Sequence, residues 1–105
     1  MKITSISEQR ILGVKLINFD RFMDHRGYFT ETFRASDFIN NDLKLFPNGI
    51  MQSNESFSQK NVLRGLHFQW NPNMGKLVRT IAGHMVDLVL DLRKGSPTQG
   101  KIMAF

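Results

Sequence analysis

The stretch Val62-Leu63-Arg64-Gly65-Leu66-His67-Phe68-Gln69 sets a guanidinium and an imidazole three residues apart. Its apolar residues Leu63, Leu66 and Phe68 read as those of a buried strand. Against a low-dielectric wall a positive charge acts more strongly, and a histidine pKa moves. Strict alternation sends Arg64 and His67 to opposite faces of a strand. Gly65 lies between them, and glycine inside a strand marks a bulge that re-aims a side chain. The expectation is a kink near Gly65 that turns both residues toward one cavity. The plainer alternative is a core histidine and a rim arginine on an ordinary strand.

General-base chemistry is what these residue types best support. His67 can take a proton near neutral pH, and Arg64 and Lys76 can stabilise the anion that results. Proton abstraction beside a carbonyl needs that pairing: a base for the carbon acid and cations for the developing enolate oxygen. For Lys76, the alternative is a lysine that protects a strand edge. Metal chemistry has little support. Histidines occur only at 25, 67 and 84, with a glutamine where a His-x-His pair would place its second ligand. No serine sits in a Gly-x-Ser-x-Gly elbow, and no glycine-rich phosphate loop is present.

Alternation and turn residues outline the elements that must position these groups. Ile11 to Phe19 reads as a strand, with Leu12, Val14 and Leu16 on one face. Asp20 to Gly27 reads as a polar loop, and Tyr28 to Phe33 as a second strand. Ser36 or Asp37 is placed to cap a short helix through about Leu45, stopped by the turn signal Pro47-Asn48-Gly49. Ile50 to Phe57 is a third strand with Gln52, Asn54, Ser56 and Ser58 on one face. Such a face is either solvated or the polar lining of a cavity inside a barrel. Val62 to Gln69, Lys76 to Ala82 and His84 to Arg93 follow as strands, and Gly100 to Phe105 begins another. Short strands with regular turn signals predict an all-β sandwich or barrel. The last residues, Lys101 to Phe105, form neither a closing turn nor a polar tail, so the chain reads as truncated relative to a natural domain.

Composition narrows the function class. At 105 residues the chain reads as one domain, 41% hydrophobic and 22% charged. It has no cysteine, which removes disulfides and thiolate chemistry. Fourteen Lys and Arg against nine Asp and Glu give a net charge of +5, which favours an anionic partner. The basic residues are dispersed, with no run of five, so a nucleic-acid partner is not expected. Apolar runs such as Leu88-Val89-Leu90 are too short to span a bilayer, and the first twenty residues carry no signal-peptide block. No membrane association is expected, and a cytoplasmic location is the default.

Six segments, in order, resemble the dTDP-4-dehydrorhamnose 3,5-epimerase family of cupin-type β-barrels. They are Asp24-x-Arg26-Gly27-x-Phe29-x-Glu31-x-Phe33, Gln52-x-Asn54-x-Ser56-x-Ser58, Asn61 through Gln69, Gly75-Lys76-Leu77-Val78-Arg79, Gly83-x-x-x-Asp87, and Asp91-Leu92-Arg93-x-Gly95-Ser96-Pro97-Thr98. The resemblance implies an incomplete cupin-type jelly-roll barrel, with residues 1–105 as the N-terminal portion of an epimerase barrel. It implies epimerisation at C3 and C5 of a dTDP-linked 4-keto-6-deoxy sugar on the way to dTDP-L-rhamnose. No cofactor is implied, because the substrate's ketone acidifies the neighbouring C–H bonds. His67 matches the general base, Lys76 the enolate-stabilising cation, and Arg64 a group close to the sugar and phosphates. Gln52 and Asn54 match pocket residues. Phe22, Arg26 and Glu31 match a segment that reaches into the partner's site in the family homodimer. Asp87 matches a barrel-facing carboxylate.

The family's domain runs many tens of residues further than the part this chain matches. That stretch carries the acid tyrosine and the aspartate that orients the base. The one tyrosine here, Tyr28, does not match the acid, so the chain alone is expected to be inactive or nearly so. Two other readings stay open: a non-catalytic sugar-nucleotide binding module on the same scaffold, and a related epimerase acting only at C3 or only at C5.

Overall fold

The computed structural model describes residues 2–43, 49–50 and 52–105. Among these residues the fold is all-β with one short helix. Six strands pair into three separate two-stranded antiparallel ladders, so the barrel is open and incomplete.

The first ladder joins β1 (Ile3–Glu8) to β2 (Lys15–Phe19). The register slips between Ile3, opposite Phe19, and Ser5, opposite Asn18. That extra residue lets Ile3 and Ile6, three apart, both pack on the core, which strict alternation would forbid. Ile17 and Phe19 meet the same core from β2 at the ordinary period of two. The strand expected from Ile11 therefore starts only at Lys15, and its core face is Ile17 and Phe19 rather than Leu12, Val14 and Leu16. Residues 11–14 instead turn the chain: the Val14 N–H donates to the Ile11 carbonyl at 3.0 Å, and Gly13 takes φ +90.

Opposite this ladder lies α1 (Ala35–Asn40). Neither Ser36 nor Asp37 caps it, because the N-cap position falls at Arg34, in extended backbone with no side-chain cap bond. Its far end closes in a Schellman motif. Asp42 adopts φ +54 and donates to the Ile39 carbonyl at 3.1 Å, while Leu43 donates to the Phe38 carbonyl at 2.8 Å. The left-handed residue folds Leu43 back onto Phe38, and these two buried side chains centre the core cluster. Phe33 adds its ring, 4.9 Å from that of Phe38. The helix ends at Asn40 rather than running on to about Leu45; Lys44, Leu45, and Pro47 and Asn48 of the expected turn lie outside the described residues, as does Met51 in the third expected strand.

The region read as a polar loop holds a hairpin instead. β3 (Phe22–Asp24) pairs with β4 (Gly27–Phe29), leaving His25 and Arg26 as its turn. The second expected strand thus ends at Phe29 rather than Phe33. Asp24 shapes the turn by accepting the Arg26 N–H at 2.8 Å, a job that short Asx side chains do well.

β5 (Leu88–Leu90) and β6 (Ile102–Ala104) form the third ladder, shorter than the strands expected over 84–93 and 100–105. Its turn is organised by Asp91, a buried carboxylate. Oδ1 accepts from the Arg93 N–H and Nε at 3.0 and 2.9 Å. Oδ2 accepts from Arg93 Nη2, Ser96 Oγ and Thr98 Oγ1 at 3.0, 2.6 and 2.7 Å. These donors, Arg93 first and then the two hydroxyls, hold the carboxyl far below the usual carboxylate range. A depressed folded-state pKa gives stability that is present above the unfolded value of about 4 and is lost as pH falls through the folded value. Asp91→Asn puts an NH2 group against at least two donors. It is expected to lower the melting midpoint of the whole protein by at least about 3 °C at pH 7, with the gap to wild type narrowing in strong acid, as read by thermal melts across pH.

The segments expected as strands over 52–57, 62–69 and 76–82 form none among the described residues. A strand exists through its neighbour's hydrogen bonds, and no described segment lies in ladder register with these. Their apolar side chains are exposed accordingly, Leu63 by 87% and Phe57 by 83%. The Cα radius of gyration is 15.5 Å, against about 13 Å for a compact domain of this length. The Arg79 guanidinium reaches the core from this region, 5.7 Å from the ring centroid of Phe19.

Candidate functional site

The β3–β4 hairpin brings Phe22, Arg26 and Glu31 into one neighbourhood. Phe22 and Glu31 line a hollow of about 470 Å³ together with Lys2, Phe29, Arg34, Ser36 and Asp37. Arg26 lines a smaller hollow of about 240 Å³ with Asp24, Tyr28 and Phe29, and Phe29 borders both. The Arg26 guanidinium grips Asp24 through Nη2 at 2.6 Å and Nε at 3.2 Å. That side-chain contact and then the Arg26 N–H hold the Asp24 carboxyl below its ordinary value, and Asp24 in turn raises that of Arg26. The grip is the one a guanidinium offers to any oxyanion, phosphate included. Arg21 stacks 4.5 Å from the Tyr28 ring centroid, adding a second cation to the hairpin.

Lys2 and Arg34 were not singled out in the sequence. Arg34 had a local signal: it lies three residues after Glu31 and bonds to it. Lys2 had none. It reaches the hollow because the Asp20 N–H donates to the Lys2 carbonyl at 2.9 Å, with the Lys2 ammonium 3.2 Å from the Asp20 carboxylate.

The other expected site residues lie on the exposed stretch and its border. Gln52 Nε2 donates to Asn54 Oδ1 at 3.0 Å, so these two share one side of the chain. Arg64 donates through Nε to Ser58 Oγ at 2.8 Å and through Nη2 to the Phe57 carbonyl at 2.9 Å. Gly65 adopts φ +96, so the backbone does turn there. A Cβ at Gly65 would sit 3.2 Å from both His67 Nδ1 and the His67 backbone nitrogen, so glycine is what lets the imidazole fold against the chain. Lys76 Nζ donates to Gln69 Oε1 at 2.7 Å. Asp87 exchanges backbone hydrogen bonds with Phe105 at 3.0 and 2.9 Å, at the end of the β5–β6 ladder. Arg64, His67 and Lys76 each make separate local contacts, and no hydrogen bond joins the three among the described residues. No group of three or more His, Asp or Glu side chains among the described residues is placed to hold a metal ion. No described helix is long and apolar enough to cross a membrane.

Comparison with known proteins adds a second line of observation. A family model described as dTDP-4-dehydrorhamnose 3,5-epimerase matches residues 8–105. Relatives carrying that name include one from Neisseria gonorrhoeae, 47% identical over 96 residues, covering 91% of this chain and 28% of the relative. One from Methanothermobacter thermautotrophicus is 46% identical over 89 residues, covering 85% of this chain and 46% of the relative. A third, from Sinorhizobium fredii, is 48% identical over 93 residues, covering 87% of this chain and 46% of the relative. The chain spans less than half the length of each of these three curated relatives. No solved structure matches it significantly. With nearly its whole length inside the matched region, the chain belongs to the dTDP-4-dehydrorhamnose 3,5-epimerase family.

Proposed function

We propose that this chain supplies the N-terminal part of a dTDP-4-dehydrorhamnose 3,5-epimerase acting in dTDP-L-rhamnose biosynthesis. The observation that carries the reading is a coincidence in sequence. The family match over residues 8–105 spans all six motif segments, and so includes Arg64, His67 and Lys76. In the proposed reaction His67 takes the proton from C3 or C5 of a dTDP-linked 4-keto-6-deoxy sugar. The C–H electron pair becomes the enolate double bond, and the C4 carbonyl pair moves onto its oxygen. Lys76 and Arg64 offset that charge. A proton delivered to the opposite face restores the ketone with inverted configuration, and His67 returns its own proton to solvent. No electrons are gained or lost overall, so the cycle is complete without a cofactor. Gln52, Asn54 and Asp87 hold the sugar, while Phe22, Arg26 and Glu31 hold the nucleotide across a homodimer. Nucleic acid and membrane have no part in it, and the setting is cytoplasmic.

The pairing of Arg26 with Asp24 supports the nucleotide role, since a diphosphate would take the place of the carboxylate. Arg26→Ala is therefore expected to weaken dTDP binding by about tenfold or more, measured by titration calorimetry on the whole protein. Unchanged affinity would remove Arg26 from that role.

Solvent deuterium tests the reaction itself. The whole protein, incubated with the keto-sugar nucleotide in D2O, is expected to wash deuterium into both C3 and C5. Binding without exchange would leave a sugar-nucleotide binding module, and exchange at one carbon alone would leave a single-position epimerase.

A further inference from the structure

Among the described lysines and arginines that donate a side-chain hydrogen bond or ion pair, the acceptors are of two kinds, while Arg21 and Arg79 lie against aromatic rings. Lys2, Lys15, Arg26, Arg34 and Arg93 each pair with a carboxylate. Arg64 and Lys76 do not, among the described residues. Arg64 donates to a serine hydroxyl and a backbone carbonyl, and Lys76 donates to the carboxamide oxygen of Gln69 at 2.7 Å. The two cations assigned to the enolate are therefore held by uncharged oxygens.

We infer that Gln69 is a positioning residue for Lys76, fixing the ammonium while leaving its charge unspent; this rests on the assignment of Lys76 to the enolate. A carboxylate in the same place would hold the ammonium equally well and would also cancel much of its field at a nearby oxyanion. An amide holds it through a dipole and adds no net charge. Transition-state stabilisation needs the second arrangement, because only an uncompensated cation gains when negative charge develops. The chain geometry fits the task. Gln69 and Lys76 flank the turn-rich loop over 70–75, so their bond closes that loop and sets where the ammonium stands. Gln69 also falls two residues after His67, the spacing that shares a face in extended chain.

Loop closure alone is the competing role, and two substitutions separate it from positioning. Gln69→Glu keeps the acceptor and strengthens the bond through charge, so a mere closure role predicts a near-normal enzyme. Gln69→Leu removes the acceptor, so closure predicts that it is the worse of the two. Positioning without neutralisation predicts the opposite order. In the whole protein, kcat is expected to fall about tenfold in Gln69→Leu and about a hundredfold in Gln69→Glu, with KM within about threefold of wild type in both. Thermal melts and dTDP titration on both variants verify that the fold and the nucleotide site are intact. Wild-type kcat in Gln69→Glu, or a larger loss in Gln69→Leu, overturns the inference. A Lys76→Met control separates the two levels. If that variant keeps wild-type turnover, the assignment of Lys76 falls and the role of Gln69 falls with it. If it loses turnover while Gln69→Glu does not, the site stands and only the role of Gln69 is lost.

Discussion

Substituting alanine for His67 in the whole protein is expected to stop deuterium exchange at C3 and C5. A positioned general base contributes about 10²–10⁴-fold, so kcat should drop by at least that range. Affinity for the keto-sugar nucleotide should stay within about tenfold of wild type, because a base that moves a proton acts on the transition state rather than on the ground state. The substitution leaves the backbone turn at Gly65 in place, since the φ of +96 belongs to the glycine. The loss is therefore chemical rather than conformational. Exchange rates by NMR, beside titration calorimetry on the same preparation, provide the check. A variant with full exchange takes His67 out of the mechanism.

Lys76→Met should cost almost as much. Removing one donor aimed at a developing oxyanion costs about 10²–10³-fold in kcat, and methionine keeps much of the side-chain length while removing the charge. KM should change little, because the ketone oxygen carries its full charge only after proton abstraction. Lys76→Arg is expected to recover only part of the rate. Its planar fork keeps the charge, but it spreads that charge over a wider group than the compact ammonium. Single-turnover kinetics separate this step from substrate binding and product release. A Lys76→Met enzyme with unchanged kcat and raised KM would mean that the lysine serves ground-state binding alone.

The roles proposed for Arg64, His67 and Lys76 come from the sequence, where residue type and order carry them. Arg64, His67 and Lys76 stand in recognisable segments, and those segments lie inside the family match. Their geometry was not legible. Arg64 is held by Ser58 six residues earlier, and Lys76 by Gln69 seven residues earlier, and no local pattern announces contacts at those distances. The same division runs through the fold. Ile17 and Phe19 follow the period of two, yet Ile3 and Ile6 reach the core only through a bulge that alternation cannot encode. The helix end went unread because its left-handed residue is Asp42, where glycine is the usual sign. The hairpin at 22–29 was hidden by its short strands and polar turn. In 52–57 the alternation is real, with Gln52, Asn54 and Ser56 on one face, but it encodes which face a side chain takes, not which strand lies alongside; 62–69 and 76–82 lack a strict period of two.

The Asp91 turn bears on the order in which this chain can assemble. Every donor to the carboxylate lies within seven residues of it, so the loop that must close is short and its entropy loss is small. Local pairings of this kind form in about 1–10 μs, well ahead of contacts that join distant parts of a polypeptide. The β5–β6 hairpin is thus equipped to act as an early seed, a fixed edge onto which slower strand pairing is added.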